Sequence, residues 1–279
     1  MKKITLWVLF ALLVAGTATA QKNYIRLGVG GGIGLGQYAG YEWANNTTDN
    51  ATDVYEFKSM GLGSGLNVNL AFGHMTSDHF GLELGVNEFI GLNRTTTSKS
   101  TSNSSSWESE TKWSGKMLQL VPAMVLSAGL EKMNPYGRLG MIIGILPSLT
   151  EKYEGTSNYE GGTYKETHKY TSKAKISGGV ALGFTAAGGV TYNLGKKLQL
   201  YVELVYNGVT WSPKKGKYTE MTLDGTDQLP DATTRDKEWT FEKKIDDDET
   251  IPESSPDKYP KYSLNFSNVE LNAGLKLKL

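Results

Sequence analysis

Cysteine is absent from the 279 residues, which excludes a disulfide framework, a thiolate metal site and a lipid-modified cysteine. Long apolar runs are also absent beyond the first twenty residues. Nothing reaches the about 18 consecutive apolar residues of a membrane-spanning helix. Neither charge dominates: Lys+Arg number 29 and Asp+Glu 29. No basic excess points to a nucleic acid partner. Histidine is scarce at three, and hydrophobic residues make up only 39%.

What the chain has is glycine (33), tyrosine (15) and alternation. Residues 1–20 read as a secretory signal peptide. Lys2 and Lys3 are the charged start, Leu6 to Ala15 the apolar core, and Ala18-Thr19-Ala20 a small-x-small cleavage site before Gln21. Residues 21–279 then form one domain.

The end of that domain sets the pattern. Val269, Leu271, Ala273, Leu275, Leu277 and Leu279 alternate with Glu270, Asn272, Gly274, Lys276 and Lys278. A strand points successive side chains to opposite faces, so one face is apolar and the other polar or small. A soluble strand would turn the apolar face inward. A membrane barrel turns it outward to lipid, and a tilted spanning strand needs about 9–11 residues.

The same alternation recurs upstream. Ile25, Leu27, Val29, Ile33 and Leu35 oppose Arg26 and a run of glycines. Leu62, Leu66, Val68, Leu70 and Phe72 read as the outward face of the second strand, and Phe80, Leu82, Leu84 and Val86 of the third. Leu118, Leu120, Met124 and Leu126 mark the fourth, where Pro122 suggests a bulge. Leu139, Met141, Ile143 and Ile145 mark the fifth, with Ile142 breaking the pattern. Ile176, Val180, Leu182, Phe184, Val190 and Tyr192 mark the sixth, and Leu198 to Tyr206 the seventh. Near Ser267 the parity of the eighth slips, which suggests a further bulge.

Eight strands are joined by connections that run long, short, long, short, long, short, long. The short ones are His74–Asp78, Glu131–Pro135 and Asn193–Lys197. Outer-membrane barrels have short periplasmic turns and long outer loops. The expected fold is therefore all-β: a closed, antiparallel, transmembrane up-and-down barrel of eight strands, both termini in the periplasm. Several long loops are expected to extend as paired strands, with 217–223 and 238–244 forming a ribbon in the last. A hairpin there would raise the count to ten.

This pattern resembles the OmpA/OmpX-type family of small outer-membrane barrels across the mature chain. The family usually ends on phenylalanine; here Leu279 stands at the position matching its terminal assembly signal. The resemblance implies insertion by the barrel-assembly machinery into a membrane of lipid and lipopolysaccharide.

An eight-stranded barrel has an interior that side chains nearly fill. Arg26, Glu83, Arg138, Glu203, Glu270 and Lys276 are its expected charged lining. Burying an unpaired charge costs several kcal/mol, so they are expected to pair as a plug. Tyr24, Tyr38, Trp113, Tyr192, Trp211 and Tyr262 lie near strand ends and read as interfacial aromatics. The expected role is structural or adhesive: a monomer contacting an extracellular ligand through its outer loops. A narrow passive pore is the alternative.

Catalysis is the remote reading, with no cofactor implied. It would need a hydroxyl near a base held by a third group, and His168 stands beside Thr167 and Glu166. His74, Asp78 and His79 could gather about zinc, and Asp246 to Glu249 about calcium, but both read better as solvated surface.

Overall fold

The computed structural model describes residues 23–36, 39–46, 54–59, 61–101, 105–161, 164–246 and 250–279. The expected signal peptide, Tyr38 and Asp247 to Glu249 lie outside the described residues. The first strands are β1 (Asn23–Gly34), β2 (Ala39–Asn46), β3 (Val54–Ser59), β4 (Gly65–Met75), β5 (Phe80–Gly91) and β6 (Arg94–Thr101). The longest follow: β7 (Ser105–Ser127), β8 (Met133–Gly161), β9 (Tyr164–Ser177), β10 (Ala181–Asn193), β11 (Leu198–Trp211) and β12 (Lys215–Leu223). The last are β13 (Thr226–Asp227), β14 (Glu238–Glu242), β15 (Asp257–Pro260), β16 (Leu264–Asn265) and β17 (Asn268–Lys278). One helical turn, α1 (Thr234–Lys237), is capped by Thr233, whose hydroxyl accepts from the Asp236 amide.

Eight of the strands close a ring. Its order is β1, β4, β5, β7, β8, β10, β11 and β17, each antiparallel to the next, with β17 pairing back to β1. Leu27 opposite Leu275 and Val29 opposite Ala273 set the closing register. The short connections join β4 to β5, β7 to β8 and β10 to β11, so they cluster at one end of the ring.

The alternation decides which side each residue takes. Leu82, Met141, Leu204 and Leu271 are exposed on the outer wall, while Glu83, Arg138, Glu203 and Glu270 are buried inside. Grease lies outside and charge inside, the reverse of a water-soluble fold.

Four readings of the inner face change. Leu62 and Ile176, expected outward, are buried inside, and Ile142 is 1% exposed. No parity slip occurs near Ser267: Leu264, Phe266, Asn268 and Glu270 all face inward. The pattern looked broken because the inner lining changes there from polar to apolar. Pro122 sits in register opposite Leu84 on the outer wall; the register shift lies instead between Lys116 and Leu118, opposite Leu146 and Pro147. Leu146 takes a left-handed φ of 53° at this point. The expected sixth strand is two, β9 and β10. Gly178 and Gly179 separate them with φ of 85° and 77°, a conformation that favours glycine.

At the long-loop end the strands outgrow the ring. β8 runs 29 residues, a contour of roughly 95 Å at the usual strand rise. There β6, β7, β8, β9 and β12 pair in that order as an antiparallel sheet. β2 joins beside β6 and β14 beside β12. The ribbon expected between 217–223 and 238–244 pairs only at Lys215 to Lys217; the main partner of β12 is β9.

Candidate functional site

The lumen is built in layers. The charged one uses every second stave of the ring. Arg26 on β1 and Arg138 on β8 stand four staves apart, as do Glu83 on β5 and Glu203 on β11. Cations and anions therefore alternate around the axis. Arg26 donates to Glu83 Oε1 at 2.9 Å and to Glu203 Oε1 at 2.8 Å. Arg138 donates to the same Glu203 oxygen at 2.8 Å and lies 3.8 Å from Glu83. The side chain of Glu203 is 0% exposed, so both charges must be matched by protein groups.

Hydroxyls and amides complete the matching. Tyr24 donates to Glu83 at 3.0 Å, Tyr136 to Glu203 at 2.8 Å, and Asn272 to Glu203 at 3.1 Å. The Arg26 guanidinium lies 5.0 Å from the Tyr201 ring centre. Tyr201 crosses the lumen against Gly28 and Gly274. A Cβ on Gly28 would meet its hydroxyl, so glycine leaves the ring its room.

The other two expected charges take different partners. Glu270 accepts from Asn67 at 2.5 Å and Asn207 at 3.4 Å, a neutral cradle rather than a salt bridge. Lys276 places its ammonium 3.6 Å over the Tyr24 ring. Thus Arg26, Glu83, Arg138 and Glu203 form one cluster, with Glu270 and Lys276 set at its two sides.

Above that cluster, toward the long strands, lies an apolar plug. Leu62, Phe89, Met117, Ile142, Trp211 and Phe266 are all buried in one hydrophobic cluster. Phe266 meets Phe89 edge-on at 6.0 Å and Trp211 at 6.0 Å. Below the charged layer, a cavity of about 350 Å³ opens at the short-turn end, lined in part by Asn134, Gln199, Lys276 and Lys278. Within the charged layer the cavities are about 20 and 10 Å³, room for about one water each.

The plug is what residue type alone missed, and parity could have found it. Trp211 shares its parity with Glu203, Phe266 with Glu270, and Ile142 with Arg138. The same rule corrects several interfacial aromatics. Tyr24 has the parity of Arg26 and is 2% exposed inside the lumen, and Trp211 is fully buried. Trp113 packs against the plug and donates its indole N–H to Glu151 at 3.2 Å. Tyr262 also packs against it, meeting Phe241 edge-on at 4.9 Å. Tyr192 is exposed near a short turn. Leu279 is exposed, and its amide donates to the Asn23 carbonyl at 3.0 Å.

The histidines stand apart from one another. His168 Nδ1 is 2.8 Å from Asp224 and Nε2 3.4 Å from Glu166. The Thr167 hydroxyl donates instead to Asn158 at 2.8 Å. His74 meets Asn23 at 2.7 Å, and His79 meets the Ser127 carbonyl at 3.0 Å. His74, Asp78 and His79 therefore do not converge.

None of the curated proteins compared matches this sequence. A family model described as an outer membrane protein beta-barrel domain matches residues 8–229. That span is well over half of the chain and ends before β17, the stave that closes the ring. With its apolar wall and charged interior, the chain belongs to the outer membrane protein β-barrel domain family.

Proposed function

We propose that this protein is a non-conducting, monomeric outer-membrane barrel that displays its long-strand sheet at the cell surface for an interaction or structural role. In this reading the eight staves span the membrane, with the short turns and both termini in the periplasm. The observation that carries it is the double closure of the lumen. A paired ionic layer lies beneath an apolar plug, and two cavities beside the charged cluster have room for about one water each. A solute path would have to break both. The apolar outer wall supports the membrane placement, since Leu204 and Leu271 would otherwise face water. Insertion by the barrel-assembly machinery, with Leu279 at the terminal signal, and contact with lipopolysaccharide follow from the same reading.

An enzyme role is not favoured. His168 is held between two carboxylates, and the neighbouring hydroxyl is turned to Asn158. The test is purified full-length protein in planar bilayers. The expected result is no current above leak. Discrete conductance steps in the unaltered protein would replace this reading with the passive pore.

A further inference from the structure

The sheet beyond the ring has two unlike faces. Register assigns them, because paired residues on neighbouring strands share a face. One face carries Lys99, Glu108, Glu110, Lys112, Lys152, Glu154, Lys173 and Glu220. Lys99 pairs with Glu108 at 2.6 Å and Lys173 with Glu220 at 2.6 Å, and Lys112 pairs with Glu110. It is a solvated, salt-bridged surface.

The other face carries Trp107, Tyr153, Tyr170, Tyr218, Trp239 and Tyr259. Between the aromatics stand hydroxyls such as Ser98, Ser109, Thr111 and Ser157. Trp107 stacks on Tyr153 with centres 6.4 Å apart and planes at 26°, and it meets Tyr170 at 5.6 Å. Trp239 meets Tyr218 at 5.1 Å and Tyr259 at 6.1 Å. Among the described residues, charge on this face of β6 to β9 is confined to its two ends. Near the ring, Arg94 donates to the Gly61 carbonyl and Ser64, while Glu151 accepts from Trp113. At the tip, His168 engages both Glu166 and Asp224.

Two glycines fix how the rings lie. A Cβ on Gly155 would come within 3.0 Å of the Trp107 ring and 2.7 Å of the Tyr153 hydroxyl. A Cβ on Gly216 would collide with the Trp239 indole. The rings of Trp107, Tyr153 and Trp239 therefore lie over bare backbone. Aromatic rings among hydroxyls suit a ligand that presents C–H faces and hydroxyls, and Asp257, opposite Trp239 in the register, disfavours an anion.

We propose that this aromatic face binds a neutral oligosaccharide, with Trp107 and Tyr153 as the stacking platform; Trp239, packed against the plug, anchors the face to the ring. The proposal rests on the surface-interaction reading above and names its ligand class. The faces of pyranose rings pack on the indole and phenol planes, and the serine and threonine hydroxyls meet the sugar hydroxyls.

The test uses the full chain in detergent, with its folded ring verified by heat-modifiable gel mobility. Titration calorimetry with maltoheptaose, cellohexaose and mannohexaose is run beside the anionic hexagalacturonate. Saturable binding of at least one neutral sugar is expected. Trp107→Ala should weaken it about tenfold, the factor that ~1.4 kcal/mol produces. Glu110→Gln, on the charged face, should leave it unchanged. No neutral binding at millimolar sugar overturns the proposal, as does preferred binding of hexagalacturonate. Equal loss in Trp107→Ala and Glu110→Gln also overturns it. The broader reading is tested apart, by the planar-bilayer measurement on the same full chain. Failure of the sugars with no current above leak overturns the ligand class alone, whereas conductance steps overturn the broader reading.

Discussion

The two closures of the lumen are made by opposite chemistry. The ionic layer is specific: four charges on alternate staves, joined by donors that reach one oxygen of Glu203 from three directions. The plug is permissive: apolar side chains whose main requirement is to fill the space. A barrel this narrow can be filled either way. Paired charges add position, because each guanidinium must meet its carboxylates. Burying grease adds stability at about 25 cal/mol per Å². The two should therefore answer differently to substitution.

The sharpest contrast is at Glu203. Glu203→Ala leaves Arg26 and Arg138 buried with half of their counter-charge, and removing one partner of a buried pair costs about 3–5 kcal/mol. Urea unfolding, read by heat-modifiable mobility, should show a loss of that size. The variant should still carry no current, because the plug is untouched. A loss below about 1 kcal/mol would mean that the ionic layer contributes little beyond what surface pairs do.

Phe266 is the matching probe of the plug. Phe266→Ala removes the contact to both Phe89 and Trp211 and should cost about 3–5 kcal/mol. Met117→Leu, elsewhere in the plug, nearly keeps the volume and should cost less than about 1.5 kcal/mol. The isosteric change in the other layer, Glu203→Gln, should stay costly, because it too leaves the guanidiniums short of charge. If both conservative changes cost the same, the distinction between specific and permissive closure fails.

Outside the ring, Leu204→Arg sets a charge on the lipid-facing wall. The expected loss is about 2–4 kcal/mol if the residue sits at mid-bilayer. An unchanged unfolding midpoint in lipid would place Leu204 away from the bilayer centre.

Alternation made the outer wall and the eight staves legible in the sequence, since Leu271, Leu204 and Leu82 all follow a strict period of two. It also placed Arg26, Glu83, Arg138 and Glu203 on one side. The plug was not legible by type, because a rule that sends apolar residues outward misplaces Leu62, and Trp211 looked like a girdle residue. For Trp211, parity carried along β11 from Glu203 would have sufficed. For Ile176 it would not, since Gly178 and Gly179 break the strand and reset the phase. The pairing of β12 with β9 was hidden for another reason: register between segments distant in sequence is written in contacts, not in either segment alone.

The smallest expected effect tests the tip of the sheet, the region least like the lumen because its charges are solvated. The hydrogen bond to Asp224, followed by that to Glu166, raises the His168 pKa above 6.5. The His168 hydrogen bond lowers the Asp224 pKa below 3.8. A raised imidazole stabilises the fold fully below 6.5 and loses that effect as pH rises through its folded value. A depressed carboxylate does so above 3.8 and loses it as pH falls through its own. The latch between β9 and the β12–β13 turn is therefore complete between these two limits. Amide exchange at Lys169, whose N–H donates to Asp224 at 2.7 Å, should be better protected at pH 5.5 than at pH 8.5, after correction for intrinsic exchange. His168→Ala should abolish that difference while amides of the ring stay unchanged. A pH effect that survives in His168→Ala would assign it to another group. Because the pair is exposed, the shift should be small and should fade with added salt, whereas the ionic layer around Glu203 should be nearly indifferent to salt.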